Sequence, residues 1–169
     1  IVKAVFAAAE CDKPVYIRLT GGTNNPIVYD KDIDLKIGEA IELEAGNNLT
    51  IFATGTMVFY SLQAAKILRQ NGITASVWDM HTIKPIDKAA IEGAVHKNKL
   101  IVTVEEHSVI GGLFSAVAEC VSSYKNKPSQ LAIGINDFFP KPGDYQFMLK
   151  QCGLTSEQIS EKILDALKL

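Results

Sequence analysis

Residues 100–104, Leu-Ile-Val-Thr-Val, form an almost wholly apolar run rich in β-branched side chains, and the chain leaves it through Glu105, Glu106 and His107. A strand of that composition has no face suited to water, so it belongs in a sheet covered on both sides, as parallel sheets are. Paired glycines, Gly111 and Gly112, follow and lead into an amphipathic helix. They allow a sharp turn and a close approach of that helix to the sheet.

The same alternation recurs along the chain with short connections. Strands are expected at 41–46, 49–54, 74–80, 99–104 and 130–135. Helices are expected at 57–70, stopped by Asn71-Gly72, from the capping residue Asp87 to Val95, and at 113–124, where Leu113, Val117, Val121 and Tyr124 share a stripe. The C-terminal helix has a capping box, Thr155 with Gln158, and a hydrophobic staple, Leu154 with Ile159. Ile159, Ile163, Ala166 and Leu167 then recur at helical spacing. This order predicts an α/β fold with three layers, α/β/α, around a mostly parallel sheet.

The first 25 residues read differently. A helix is already under way at Ile1, with Val2, Val5, Phe6 and Ala9 on one face, and Asp12-Lys-Pro ends it. Residues 14–19 read as a strand, and residues 20–26 are dense in turn formers. We expect residues 1–25 to be the tail of a preceding domain and its linker, with residues 26–169 forming the α/β domain. The segment 136–145, with two phenylalanines and two prolines, is expected to be a loop that covers its own domain or a neighbour.

At 169 residues, 47% hydrophobic and 21% charged, the chain suits one globular domain with a buried core. Its net charge of −2 and lack of a Lys/Arg cluster argue against nucleic acid as a partner. Neither a membrane span nor a secretory signal is readable, so a cytoplasmic location is expected. Cys11, Cys120 and Cys152 are widely spaced and form no CxxC pair, which suits reduced, mostly packed thiols.

In α/β sheets, ligand and partner chemistry collects beyond the carboxyl ends of strands. Asp79, His81, Glu105, Glu106 and His107 occupy such ends and are the candidate interface or ligand residues. Neighbours on a strand point to opposite faces, so an acid–base pair does not follow from adjacency. Three consecutive residues do not converge on one metal ion, and no second ligand set is present; no metal residue is assigned. Thr54-Gly-Thr-Met joins a strand to a helix, where an anion can sit, but it lacks the glycines and lysine of a nucleotide cradle. A tight turn is the simpler reading, and a small regulatory site built from Thr54, Gly55 and His107 is the alternative.

Several segments in order resemble the C-terminal section of transketolase. They are Pro14-Val-Tyr-Ile-Arg-Leu, Ile37-Gly-Glu-Ala, Gly46-Asn-Asn-Leu-Thr-Ile-Phe-Ala-Thr-Gly, Gly72-Ile-Thr-Ala-Ser-Val-Trp-Asp-Met-His-Thr-Ile-Lys-Pro-Ile-Asp, Val102-Thr-Val-Glu-Glu-His-Ser-Val-Ile-Gly-Gly-Leu, Gly143-Asp-Tyr and Cys152-Gly-Leu-Thr. The resemblance spans nearly the whole chain. Deoxyxylulose-phosphate synthases and the β subunits of 2-oxo-acid dehydrogenases share the domain. The resemblance implies that residues 1–25 end a pyrimidine-binding domain and that residues 26–169 are a transketolase C-terminal domain. The parent would be a transferase that uses thiamine diphosphate and Mg to move a two-carbon ketol unit between sugars.

The resemblance also implies that the cofactor sits on domains outside this chain. No cofactor is then expected on the chain alone, no catalytic residue is assigned to it, and its role would be assembly, as a homodimer or with the N-terminal portion of the parent. A non-catalytic interaction module is the reading from a different class. One departure bears on substrate: where many transketolases carry a phosphate-gripping arginine in a Leu-Ser-Arg pattern, this chain has Leu19-Thr20-Gly21. That departure leaves open whether the substrate class changes, for instance to a sugar without that phosphate.

Overall fold

Ile51 and Phe52 are neighbours on one strand and both fully buried, yet they belong to two separate apolar cores. Successive strand side chains alternate faces, so the sheet is covered on both sides. The computed structural model describes residues 1–21 and 26–168; the turn-forming residues 22–25, which include part of the expected linker, lie outside the described residues. The elements follow in the order α1 (Val2–Ala9), β1 (Ile41–Glu44), β2 (Leu49–Ala53), α2 (Met57–Gln70), β3 (Ala75–Asp79), α3 (Lys88–Lys97), β4 (Leu100–Ser108), α4 (Leu113–Ser122), β5 (Ser129–Ile135), α5 (Tyr145–Cys152) and α6 (Ser156–Leu167).

The strands pair in the order β1-β3-β2-β4-β5, parallel throughout except for β1, which runs antiparallel along the edge of β3. One core joins Ile51, Val77, Val102 and Ile133 to α2, α5 and α6; the other joins Phe52, Met80 and Ile101 to α3 and α4. These are the three layers expected, and each fully buried aliphatic side chain stabilises them by roughly 1.5–3 kcal/mol.

Local signals act as expected in several places. The Asp87 side chain accepts from the Ala90 amide at 2.9 Å, and its other oxygen accepts from the Ala40 amide at 2.7 Å. Both halves of the Thr155–Gln158 capping box form, and the staple residues Leu154 and Ile159 are buried. At Gly46 the chain passes so close to the start of β3 that a Cβ would lie 2.2 Å from the Ala75 carbonyl carbon, so no larger residue fits without moving backbone.

Three expectations need correction. Residues 14–19 form no strand: they have no sheet neighbour among the described residues, and Val15, Tyr16 and Leu19 are exposed. A strand without a paired edge has no ladder to stabilise it. Residues 145–152, read as part of a loop or left unassigned, form α5, whose N-cap Asp144 accepts from the Phe147 amide at 2.9 Å. Finally, β4 does not stop at Val104 but continues to Ser108, which pairs with Ile135 after an irregularity. The pairing with β5 carries the polar residues along.

All three cysteines are free thiols, Cys11 exposed and the other two partly buried. No described helix is long and apolar enough to cross a membrane.

Candidate functional site

The connection after β2 enters α2 on one face of the sheet, and that after β4 enters α4 on the other. Their divergence opens the crevice at which parallel α/β sheets hold ligands. Glu105 and Glu106 stand at this point, and because they are consecutive on a strand they serve opposite faces.

Glu105 is 2% exposed. Its two carboxylate oxygens accept from the Leu113 amide at 2.7 Å and the Phe114 amide at 2.9 Å, the free N–H groups at the start of α4. A carboxylate there satisfies two orphan donors and lies at the favourable end of the helix dipole. Gly112 makes room for it: a Cβ at that residue would lie 2.0 Å from Glu105 Oε2. Glu105 is therefore an internal helix cap delivered from a strand.

Glu106 works on the other face. The Thr56 hydroxyl, at the N-cap of α2, donates to it, and the Tyr145 hydroxyl at the start of α5 donates to the same oxygen at 2.8 Å. Burial raises the Tyr145 phenol to about 12, with Thr56 pulling it down and the Glu106 carboxylate pushing it up. Behind this trio lies a cavity of about 60 Å3 whose walls include Ile135, Met148, Leu149, Cys152 and Leu154. Its lining is apolar apart from Glu106, Tyr145 and Cys152, so it offers a sugar or a nucleotide few polar partners. Thr54-Gly-Thr-Met thus forms a tight turn, with Met57 bonding back to Thr54 at 3.3 Å, and the crevice beside it is filled by the chain's own carboxylate and hydroxyls.

The remaining candidates do not join them. His107 is exposed, its Nδ1 2.9 Å from the Ser108 carbonyl. Asp79, at the end of β3, is 7% exposed and accepts a hydrogen bond from the Tyr29 hydroxyl. Burial holds its carboxyl above the ordinary range, against the opposing pulls of the Tyr29 hydrogen bond and His81. His81 Nδ1 lies 2.9 Å from the Thr82 hydroxyl, and its Nε2 is buried with no partner. Sequence reasoning missed Tyr29, Thr56 and Tyr145, because each meets its partner across 39 to 50 residues of chain. Among the described residues no group of three His, Cys, Asp or Glu side chains is placed to hold a metal ion.

Fold and rim together define a doubly wound α/β domain whose carboxyl-edge crevice is closed by its own side chains. The chain belongs to the transketolase C-terminal domain family: the family described as "Transketolase, C-terminal domain" matches residues 38–159. A Methanocaldococcus jannaschii protein provisionally named a transketolase C-terminal section is 42% identical over 95% of this chain and 50% of its own length. The 6-deoxy-6-sulfo-D-fructose transketolase subunit SqwH of a Clostridium species is 40% identical over 88% of this chain and 45% of its own. The 1-deoxy-D-xylulose-5-phosphate synthase of Dictyoglomus thermophilum is 34% identical over 79% of this chain but 22% of its own. Among solved structures, one described as a split gene transketolase, an inactive beta4 tetramer, superposes with a TM-score of 0.91 at 41% identity, over 99% of this chain and 54% of the other. The chain spans about half the length of the subunit-type relatives it matches.

Proposed function

We propose that the chain is the C-terminal section of a thiamine-diphosphate-dependent, transketolase-like transferase that moves a two-carbon ketol unit between sugars, and that it supports assembly rather than chemistry. The observation that carries this reading is the likeness over 99% of the chain to a split-gene transketolase chain whose tetramer is described as inactive. Residues 1–25 are then the tail of a pyrimidine-binding domain, and residues 26–169 the C-terminal domain. The reading favours a transketolase over a deoxyxylulose-phosphate synthase, because the transketolase-named relatives are 42% and 40% identical to the chain and the synthase 34%.

Transketolases as a class use thiamine diphosphate. The residues at this chain's carboxyl edge do not fit that cofactor: the Glu106 carboxylate fills the crevice where a diphosphate would have to lie, and like charges repel. No step of the reaction is assigned to this chain. The exposed rim residue His107, together with Asp79, His81 and Glu106 just inside it, is where contacts with the rest of the enzyme would be felt. Leu19-Thr20-Gly21, in place of the pattern with an arginine, favours a sugar without a phosphate at that end.

Isothermal titration with thiamine diphosphate and magnesium tests the reading, on this chain alone and after mixing with the cofactor-binding portion of the parent. Saturable heat only in the mixture is the expected result. Tight binding by the chain alone would sink the supporting role and turn the rim residues into cofactor ligands.

A further inference from the structure

Helix α5 covers the carboxyl-edge crevice and is itself barely held down. Of its eight residues only Leu149 is buried, and every residue from 136 to 147 except Pro140 is exposed. Beneath it lies the cavity of about 60 Å3, with Pro140, Tyr145, Met148 and Cys152 on the helix side and Glu106 and Ile135 on the sheet side. A cavity gives the side chains above it fewer partner atoms than a filled core would.

The bonds around α5 fall into two sets. One set is internal. The Gln151 side chain donates to the Lys141 carbonyl at 2.9 Å and accepts from the Lys141 amide at 3.1 Å, Asp144 caps the helix, and a Cβ at Gly143 would sit 2.2 Å from the Phe147 ring. Residues 141–152 therefore hold their own shape. The other set ties this unit to the rest of the domain. At the front, Tyr145 donates to Glu106 at 2.8 Å and Gln146 donates to the Tyr60 hydroxyl at 3.0 Å, both through exposed side chains. At the back, Gln158 and Lys162 of α6 donate to the Lys150 and Gly153 carbonyls, and Leu154 is buried. Gly153, left-handed at φ 69°, gives the chain its pivot between the two.

We propose that residues 141–152 are a lid on the crevice: they open as one unit about Gly153 while the sheet stays folded, with the Tyr145–Glu106 bond as the clasp. Opening turns the Glu106 carboxylate and the Thr56 hydroxyl that it holds toward solvent. The lid does not rest on the function proposed above.

Hydrogen exchange followed by mass spectrometry on the intact chain tests the opening, since α5 has bonded amides to report it, Met148 to Asp144 at 3.0 Å and Leu154 to Leu149 at 2.9 Å among them. In wild type the α5 amides are expected to exchange at least about tenfold faster than those of β4, and to respond less steeply to low urea because a lid exposes little surface. Ile91→Ala, in the core on the opposite face, loosens the whole fold and should speed β4 exchange roughly a hundredfold while α5 keeps its wild-type rate. If α5 follows β4 in both experiments, the helix opens only with the whole fold and the proposal is overturned. Tyr145→Phe removes the clasp and should speed α5 exchange about fivefold; no change overturns the proposal.

Carbodiimide labelling of carboxylates reads the crevice itself. Leu149→Ala undocks the lid without touching Glu106, which is expected to label at least about tenfold faster than in wild type, while Glu105, held by the α4 amides, stays unlabelled. Glu106 labelling at the wild-type rate would mean that α5 frays without uncovering anything, and complete loss of β4 protection would make Leu149 a prop of the whole core. Either result overturns the lid.

Discussion

Helices α1 and α6 both carry an apolar stripe, yet α6 buries Ile159 and Ile163 completely while α1 buries nothing. The difference is the surface each one meets. Helix α6 lies on α2 and joins the core above Ile133; among the described residues α1 lies against residues 32–35. An amphipathic pattern states that a covering surface is needed and leaves open which chain supplies it.

Truncations in the two helices should separate most widely. Ile163→Ala is expected to cost the isolated chain about 3 kcal/mol of unfolding free energy, measured by denaturant titration, because a cavity opens in a packed core. Glu105→Ala sharpens the contrast between helices held by the sheet and the one that is not. It strands a buried amide and a partly buried amide of α4 and should cost about 2 kcal/mol by the same titration. Tyr145→Phe removes the donor that ties α5 to Glu106, and because the side chain is 43% exposed we expect about 1 kcal/mol or less.

A pH series probes the contact between Tyr29 and Asp79, which ties the segment before β1 to the sheet. The Asp79 carboxyl is raised above its ordinary 3.8, chiefly by burial. For a carboxyl shifted upward the neutral form is the one the fold prefers, so its contribution is full below the unfolded value and is lost as pH rises through the folded one. The groups facing it are Tyr29 from the segment before β1 and His81 past the strand end. Asp79→Asn lacks that titration, so the stability of this variant relative to wild type should be flat at low pH and rise as pH climbs above 3.8. A flat difference across the whole range would contradict the upward shift. Smallest of all, Phe6→Ala should change the stability of the isolated chain by no more than about 0.5 kcal/mol. A loss as large as that of Ile163→Ala would mean that α1 has a covering surface on this chain after all.

The parallel strands were legible because their composition leaves no polar face, and Asp87 and Thr155 were legible because caps act within one helical turn. Asp144 carried the same capping signal for α5. The aromatic and proline residues before it masked the helix, whose stability comes from Leu149 packing in the core. Residues 14–19 have strand composition and no strand, since pairing is a property of two segments. At the rim, the residue types of Glu105 and Glu106 were readable and their roles were not. Nothing local tells a strand-end carboxylate whether solvent, two amides or two hydroxyls will meet it.

The alternation of those two glutamates also constrains the length of the chain. Loss or gain of one residue between Leu100 and Glu105 would turn every side chain beyond the change to the other layer. A gain would put Glu105 in the place of Glu106, facing the hydroxyls of Thr56 and Tyr145, and a loss would put Glu106 in the place of Glu105, facing the amides of α4. The segment from the first buried residue of β4 to this pair can therefore change in length only in steps of two.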